Sequence, residues 1–264
     1  MYGKTTVNPE VTVILQELLS NTQSLLGKRF VGMYVYGSLA TGDFDQSSDV
    51  DWVVATAEDV PDYLVPALNE MHARIFELPS KWARRLDGSY LWPSLLRRPD
   101  PAHPLHLYLD NGNNSLERSD HDNWYVQHYK LREMSVALAG PDPKSLIDPV
   151  SAVQLRREAR ESLQTWLDPM ATKQEPLTHV WYQSYVILTV CRVLYTIARG
   201  DVASKRRAAD WAKGVLDARW AEVIELAWAD RADLAIKTQL RTDPKRRDAT
   251  ADFIRYALTW ASAQ

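Results

Sequence analysis

The sequence predicts an α+β protein in two parts: a unit of strands and helices over residues 1–150, then an all-α unit over residues 151–264. Two observations predict it. Up to Pro149, short runs rich in Val, Tyr and Phe alternate with helical stretches, whereas every later segment has the helical period. Charge divides at the same place. Residues 1–150 carry 20 acidic and 13 basic side chains, a net of −7, and residues 151–264 carry 14 and 18, a net of +4. A chain of 264 residues also suits one large domain or two small ones, at about 150 residues per domain.

The elements follow from local punctuation. Asn8 as N-cap, Pro9 at the first helical position, Glu10 in the first turn and Gly27 past the end define a helix over 9–26. Residues 29–36, ending at Gly37-Ser38, and residues 50–55 read as strands. Pro61 opens an apolar-periodic helix to Leu78, extending towards Leu86. Residues 90–92 and 105–109 are shorter strands around a Pro- and Arg-rich loop, 97–104. Asp120 is read as the cap of a helix through Met134. Residues 136–139 form an edge strand before the turn Gly140-Pro141-Asp142-Pro143. In the second part Ser151 caps residues 152–167, a longer helix spans 176–199 and ends at Gly200, Ser204 and Asp217 cap two more, and a last helix covers 244–263. Six of the ten Trp (166, 181, 211, 220, 228 and 260) lie there, where large rings fill a bundle core.

Composition excludes several classes. With 45% hydrophobic and 25% charged residues, the chain is neither disordered nor repetitive. No apolar run reaches the length of a spanning helix, and residues 1–9 lack a signal-peptide pattern, so a cytoplasmic protein without a membrane partner is expected. The single cysteine, Cys191, rules out an intrachain disulfide and a multi-cysteine zinc site, and its apolar run makes it a core thiol. A nucleic-acid binder would show a strongly basic domain; the divided charge here suits a cleft holding cations on one wall and phosphates on the other. No heptad seam argues for an oligomer, so a monomer is expected.

The chemistry concentrates in Tyr36-Gly37-Ser38, Gly42 and Ser47-Ser48-Asp49-Val50-Asp51, which join one strand to the next. Gly37 lets a phosphate approach the backbone, and Ser38 adds a hydroxyl and opens a helix whose first N–H groups favour an anion. Asp49 and Asp51 share one face by strand alternation, and such a pair holds Mg2+ together with substrate phosphates. Competing motifs fail. An EF-hand from Asp43 would need Gly and Glu where Ser48 and Val54 stand. No Walker loop is present, Ser38 has no nucleophile elbow around it, and His103, His106, His121 and His128 lack any metal-ligand spacing.

Gly37-Ser38 at the end of one strand and Asp49-x-Asp51 on the next resemble the nucleotidyltransferase superfamily that includes polymerase-beta-like enzymes. Residues 188–195 (LTVCRVLY), Gly200, Ser204-Lys205 and Ala208-Ala209-Asp210-Trp211 are similar to the helical domain of the aminoglycoside (3''/9) adenylyltransferases acting on streptomycin and spectinomycin. Leu131-Arg132-Glu133, Gly140-Pro141 and Pro143 also resemble that family. The resemblance implies a polymerase-beta-like domain over 1–150, with a mixed sheet and helices, and a helical bundle over 151–264 completing the ATP and acceptor site. It implies transfer of AMP from ATP, with Mg2+, to a hydroxyl of an aminoglycoside-type antibiotic.

Carried over by position, Asp49 and Asp51 become metal ligands. Gly37, Ser38, Ser48, Arg192 and Lys205 contact the triphosphate. Asp87, where the family carries glutamate, is the base and third metal ligand, with Asp110 as its competitor. Aromatic and acidic residues that hold the drug in the family correspond here to Lys173, Thr178, Tyr182 and Gln183, with Glu175 nearby. Two alternatives stand beside this reading: an adenylyltransferase of the same fold with another hydroxyl acceptor, and a nucleotide-binding module without turnover.

Overall fold

The computed structural model describes residues 8–173, 175–231 and 241–264. The chain divides into two compact units, Met1–Pro149 and Val150–Gln264. The first is built on a six-stranded sheet of order β5-β4-β3-β2-β1-β6. Its strands are β1 (Phe30–Val35), β2 (Val50–Thr56), β3 (Leu86–Leu91), β4 (His106–Leu109), β5 (Glu117–Ser119) and β6 (Val136–Ala139). β2 and β3 run parallel, and the other neighbours are antiparallel. It is a mixed sheet, as the resemblance implied.

Period-2 alternation sends side chains to two unlike faces. On one, Met33, Val35, Trp52, Val54, Tyr90 and Leu107 pack with Val11, Ile14 and Leu18 of α1 (Pro9–Leu26) and with Leu68, Met71 and Ile75 of α3 (Val65–Phe76). Full burial of such side chains is worth about 1.5–3 kcal/mol each, which makes this layer the rigid support of the sheet. Gly88 explains how closely β2 and β3 approach, since a Cβ there would stand 2.1 Å from the Trp52 carbonyl oxygen. The opposite face is apolar only in part. Tyr34, Val53, Ala55 and Leu91 meet Leu95 and Leu96 of α4 (Pro93–Arg97), Leu131 of α5 (Tyr125–Met134), and Ile147 just after α6 (Pro143–Leu146). The rest of that face carries the polar side chains taken up below.

The first helix matches its sequence reading at both ends, with the Asn8 side chain accepting the Glu10 N–H and Gly27 at a φ of 53°. Other readings are corrected. The helix expected over 61–78 is a 3-10 turn, Asp62–Leu64, followed by α3, and it does not extend towards Leu86. Pro79 cannot continue a helix, Lys81–Arg85 make a separate 3-10 turn, and β3 then starts at Leu86 instead of residue 90. Asp120 does not cap a helix. It bonds the His103 ring at 2.8 Å, and α5 starts only at Tyr125. β5, a three-residue edge strand of polar residues, had no apolar alternation to announce it.

The second unit is helical throughout its described residues. A full capping box of Ser151 and Gln154 starts α7 (Ala152–Ser162), which passes through a π-helical turn, Leu163–Leu167, into α8 (Asp168–Lys173). The expected 176–199 helix is a 3-10 turn, Glu175–Thr178, and then α9 (Val180–Arg199), closed by Gly200 in the left-handed conformation. Ser204 caps α10 (Lys205–Val215), Asp217 caps a 3-10 turn leading into α11 (Ala221–Arg231), and Asp243 caps α12 (Pro244–Ser262). Cys191 is fully buried in this core, and burial pushes its thiol up to about 12. Five of the six tryptophans belong to the core or pack on it; Trp181 is the exception, 42% exposed. Among the described residues no helix is long and apolar enough to cross a membrane.

Candidate active site

The polar face of the sheet is assembled from strand ends. Where β1 leaves the sheet, the Tyr36 N–H donates to the Asp51 carbonyl at 3.2 Å, and the chain turns at Gly37 with a φ of +66°. A Cβ on Gly37 would lie 2.0 Å from Asp51 Oδ2, so the glycine backbone rests directly against that carboxylate. Both the positive φ and the contact exclude a side chain. Gly37→Ala is accordingly expected to lower stability by about 1–2 kcal/mol through strain and a displaced Asp51. Denaturant unfolding checks this, and a midpoint equal to the parent's would mean that Asp51 yields freely. Ser38 sits in α2 (Gly37–Thr41), a five-residue element too short to add much helix dipole.

The loop into β2 is held from inside. Asp45 accepts from the Ser47 N–H at 2.8 Å and from the Ser48 hydroxyl at 3.2 Å, while the Asp45 N–H donates back to Ser48 Oγ at 3.0 Å. Ser48 is buried, and the Arg85 guanidinium clamps the Gln46 and Ser48 carbonyls at 2.7 and 3.3 Å. Ser48 therefore organises the loop that presents Asp49. The Asp49 carboxylate in turn accepts from the Asn111 amide at 2.6 Å.

Asp51 and Asp87 are direct partners across the parallel β2–β3 ladder and share a face of the sheet. Like charges so placed resist ionisation together. Burial, then the charge of Asp51, then that of Asp122 push the Asp87 carboxyl up to about 8, with a smaller push from Asp49; a hydrogen bond from Tyr108 works the other way. The competitor Asp110 is exposed at the end of β4, where its carboxylate accepts from the Tyr108 hydroxyl at 3.2 Å. Asp49, Asp51 and Asp87 line one face without forming a ready-made cage, for among the described residues no three His, Cys, Asp or Glu side chains are arranged to hold a metal ion.

Behind the carboxylates lies a buried polar layer that sequence reasoning missed. Asp122, 3% exposed, accepts from the Ser89 hydroxyl on one oxygen and from the Gln127 amide at 2.8 Å on the other. The same amide nitrogen reaches the Tyr36 hydroxyl, and His106 Nε2 stands 3.2 Å from Ser89 Oγ. The alternation of Asp87 with Ser89 was the one signal available; Asp122 and Gln127 arrive from a loop and from α5. The histidines have separate occupations. His103 pairs with Asp120, His106 joins this layer, His121 stacks on Tyr108 with centroids 4.4 Å apart, and His128 bonds the Trp124 and Leu95 carbonyls.

In the second unit Arg192 lies on α9, bonded to Thr189 at 3.2 Å, with its Nε buried and unpartnered. Lys205 is the first residue of α10, its ammonium 5.9 Å from the Tyr185 ring centroid. Tyr185 precedes Arg192 by two turns on one helix face. It joins Trp166, Trp181 and Tyr182 in a partly exposed aromatic group. Of the expected acceptor residues, Lys173 is exposed and Tyr182 belongs to this group. Thr178 faces the neighbouring His179 ring, its hydroxyl 3.1 Å from Nδ1. Gln183 is buried: its amide donates to the Leu177 carbonyl at 2.8 Å and accepts from Thr242 at 3.1 Å. The Glu175 side chain lies outside the described residues.

Comparison with known proteins follows the same division. A family model described as "Aminoglycoside adenylyltransferase, C-terminal domain" matches residues 145–258, and one described as "Nucleotidyltransferase domain" matches residues 15–90. Spectinomycin 9-adenylyltransferase of Staphylococcus aureus is 25% identical over 224 residues, 80% of this chain and 81% of its own length. An aminoglycoside (3'') (9) adenylyltransferase of Klebsiella pneumoniae is 34% identical over 127 residues, 48% of this chain and 44% of its own. Among solved structures, spectinomycin adenyltransferase from Enterococcus faecialis with ATP and spectinomycin matches with a TM-score of 0.71. It covers 94% of this chain and 99% of its own at 16% identity, a likeness of fold.

Proposed function

We propose that this chain, which matches an aminoglycoside adenylyltransferase C-terminal domain and a nucleotidyltransferase domain, is an adenylyltransferase of that family and transfers AMP from ATP to a hydroxyl of spectinomycin or streptomycin. The observation that carries the chemistry is the register of Asp51 with Asp87, against the bare backbone of Gly37. Asp87 takes the proton of the acceptor hydroxyl. The freed oxygen attacks the α-phosphorus in line, and pyrophosphate leaves. A carboxyl with a raised proton affinity is a stronger base than an ordinary aspartate once ionised, and burial first, then the charges of Asp51 and Asp122, give Asp87 that property.

The donor set fits a hard divalent cation. Its oxygens are all carboxylate, and their mutual repulsion is what a cation relieves. Asp49, Asp51 and Asp87 would hold Mg2+ with help from substrate phosphate oxygens. Bound there, the metal supplies positive charge for the transferred and leaving phosphoryl oxygens. The Gly37 backbone and the Ser38 hydroxyl contact the triphosphate, and Ser48 supports that contact by ordering its loop; in the helical unit, Arg192 and Lys205 are the residues that the family resemblance assigns to phosphate charge.

One observation favours a second reading of the acceptor. Gln183 stands where the family's drug site is acidic, and its amide is spent on Leu177 and Thr242. An acceptor without a strongly cationic guanidino sugar suits this better, which places spectinomycin ahead of streptomycin and admits another hydroxyl compound. The deciding experiment is pyrophosphate release with ATP and Mg2+ against both drugs, with Asp49→Ala as control. Release that needs a drug and Asp49 is expected. Silence with both drugs while ATP still binds would move the assignment to another acceptor or to a module without turnover.

A further inference from the structure

The buried layer behind the carboxylates has a fixed direction. A carboxylate only accepts hydrogen bonds, so Asp122 requires the Ser89 hydroxyl and the Gln127 amide nitrogen both to donate. With the Ser89 proton committed, its oxygen is left to accept from His106 Nε2–H. The Gln127 nitrogen spends its second hydrogen on the Tyr36 oxygen. Tyr36 therefore accepts at its oxygen, and its own proton has no acceptor among the described residues. This unused donor is almost fully buried, one residue before Gly37.

We propose that the Tyr36 hydroxyl, aimed by Asp122 through Gln127, is a substrate-binding donor that takes a phosphate oxygen of the bound nucleotide. The proposal rests on the reading of Gly37, Asp51 and Asp87 as the nucleotide site. Its chemistry is simple. A buried neutral donor with no partner is costly until a ligand acceptor arrives, and a charged acceptor returns the most. Asp122 is then a positioning residue. Asp122→Asn replaces an obligatory acceptor by a group that both donates and accepts, so the direction of the Gln127–Tyr36 bond is no longer fixed and the phenol proton is no longer reserved for the substrate, with packing preserved.

The test is ATP affinity by calorimetry in the presence of Mg2+ for the parent, Tyr36→Phe, Asp122→Asn and the double variant, each with its melting temperature. Each single variant is expected to weaken ATP binding about tenfold, the usual worth of one hydrogen bond to a charged group. The double variant is expected to be no weaker than either single. That absence of additivity is a readout that general destabilisation would not produce. Gln127→Met removes the aiming amide without altering buried charge and serves if Asp122→Asn fails to fold. Parent-like ATP affinity in Tyr36→Phe, or losses that add in the double variant, overturn the proposal. Parent protein that binds ATP but releases no pyrophosphate defeats the transfer reading and leaves this inference to be judged on affinity; parent protein that binds no ATP overturns both.

Discussion

Asp51→Ala is expected to lower turnover by at least about three orders of magnitude, because it removes a proposed metal ligand and one of the charges that tune Asp87 together. The fold should survive. Asp51 is repelled by its register partner Asp87, so its loss relieves buried like charge. The expected pattern is a melting temperature at or above the parent's, no turnover, and no upward shift of that temperature on adding Mg2+, where the parent gives one by linkage. Turnover within tenfold of the parent would remove the two-carboxylate mechanism. A Mg2+-dependent shift kept in the variant would place the cation elsewhere.

Asp87→Asn should separate activity from stability even more clearly. Loss of the proposed base is expected to cost about 10²–10⁴-fold in kcat. Stability moves the other way, and the sign follows from the raised carboxyl. In the unfolded chain this group titrates near 3.9 and in the fold near 8. The fold therefore binds its proton more tightly, and the contribution is fully present below about pH 3.9 and lost as pH rises through 8. An asparagine escapes that loss. The variant's advantage should be larger at pH 8 than at pH 5, by on the order of 3 kcal/mol, read as denaturant midpoints at the two values. Equal gaps at both would mean that Asp87 ionises like a surface aspartate. Asp110→Asn, altering an exposed carboxylate at the strand end, should change kcat by less than about fivefold, and a larger loss would transfer the base role to it.

Much of this site was legible before any coordinates. Gly37 was readable because a strand that stops at Gly-Ser marks a turn where backbone must come close to something, and the structure supplies the neighbour in Asp51. Strand alternation was expected to place Asp49 and Asp51 together; Asp51 stands in β2, whereas Asp49 precedes the strand, in the loop that Ser48 orders. Asp87 is different. Local pattern left it between a helix reaching towards Leu86 and a strand from residue 90, and only the resemblance singled it out. Pro79 ends that helical pattern, and Gly88 admits the close pairing with β2 that turns residues 86–91 into a strand.

What the sequence by itself determined is what short-range rules govern: the first helix with its Asn8 and Gly27 ends, the edge strand β6, the capped helices of the second unit, and the Gly-Ser and Asp-x-Asp pair. What only the tertiary structure decided is which carboxylates share a face and which way the buried hydrogen bonds run. Asp51 meets Asp87 through a parallel register between strands joined by a long connection, and Asp122 and Gln127 reach Ser89 and Tyr36 from distant segments. Contacts of this kind depend on long-range pairing and on the demand that every buried polar group be satisfied, and neither leaves a period in the chain.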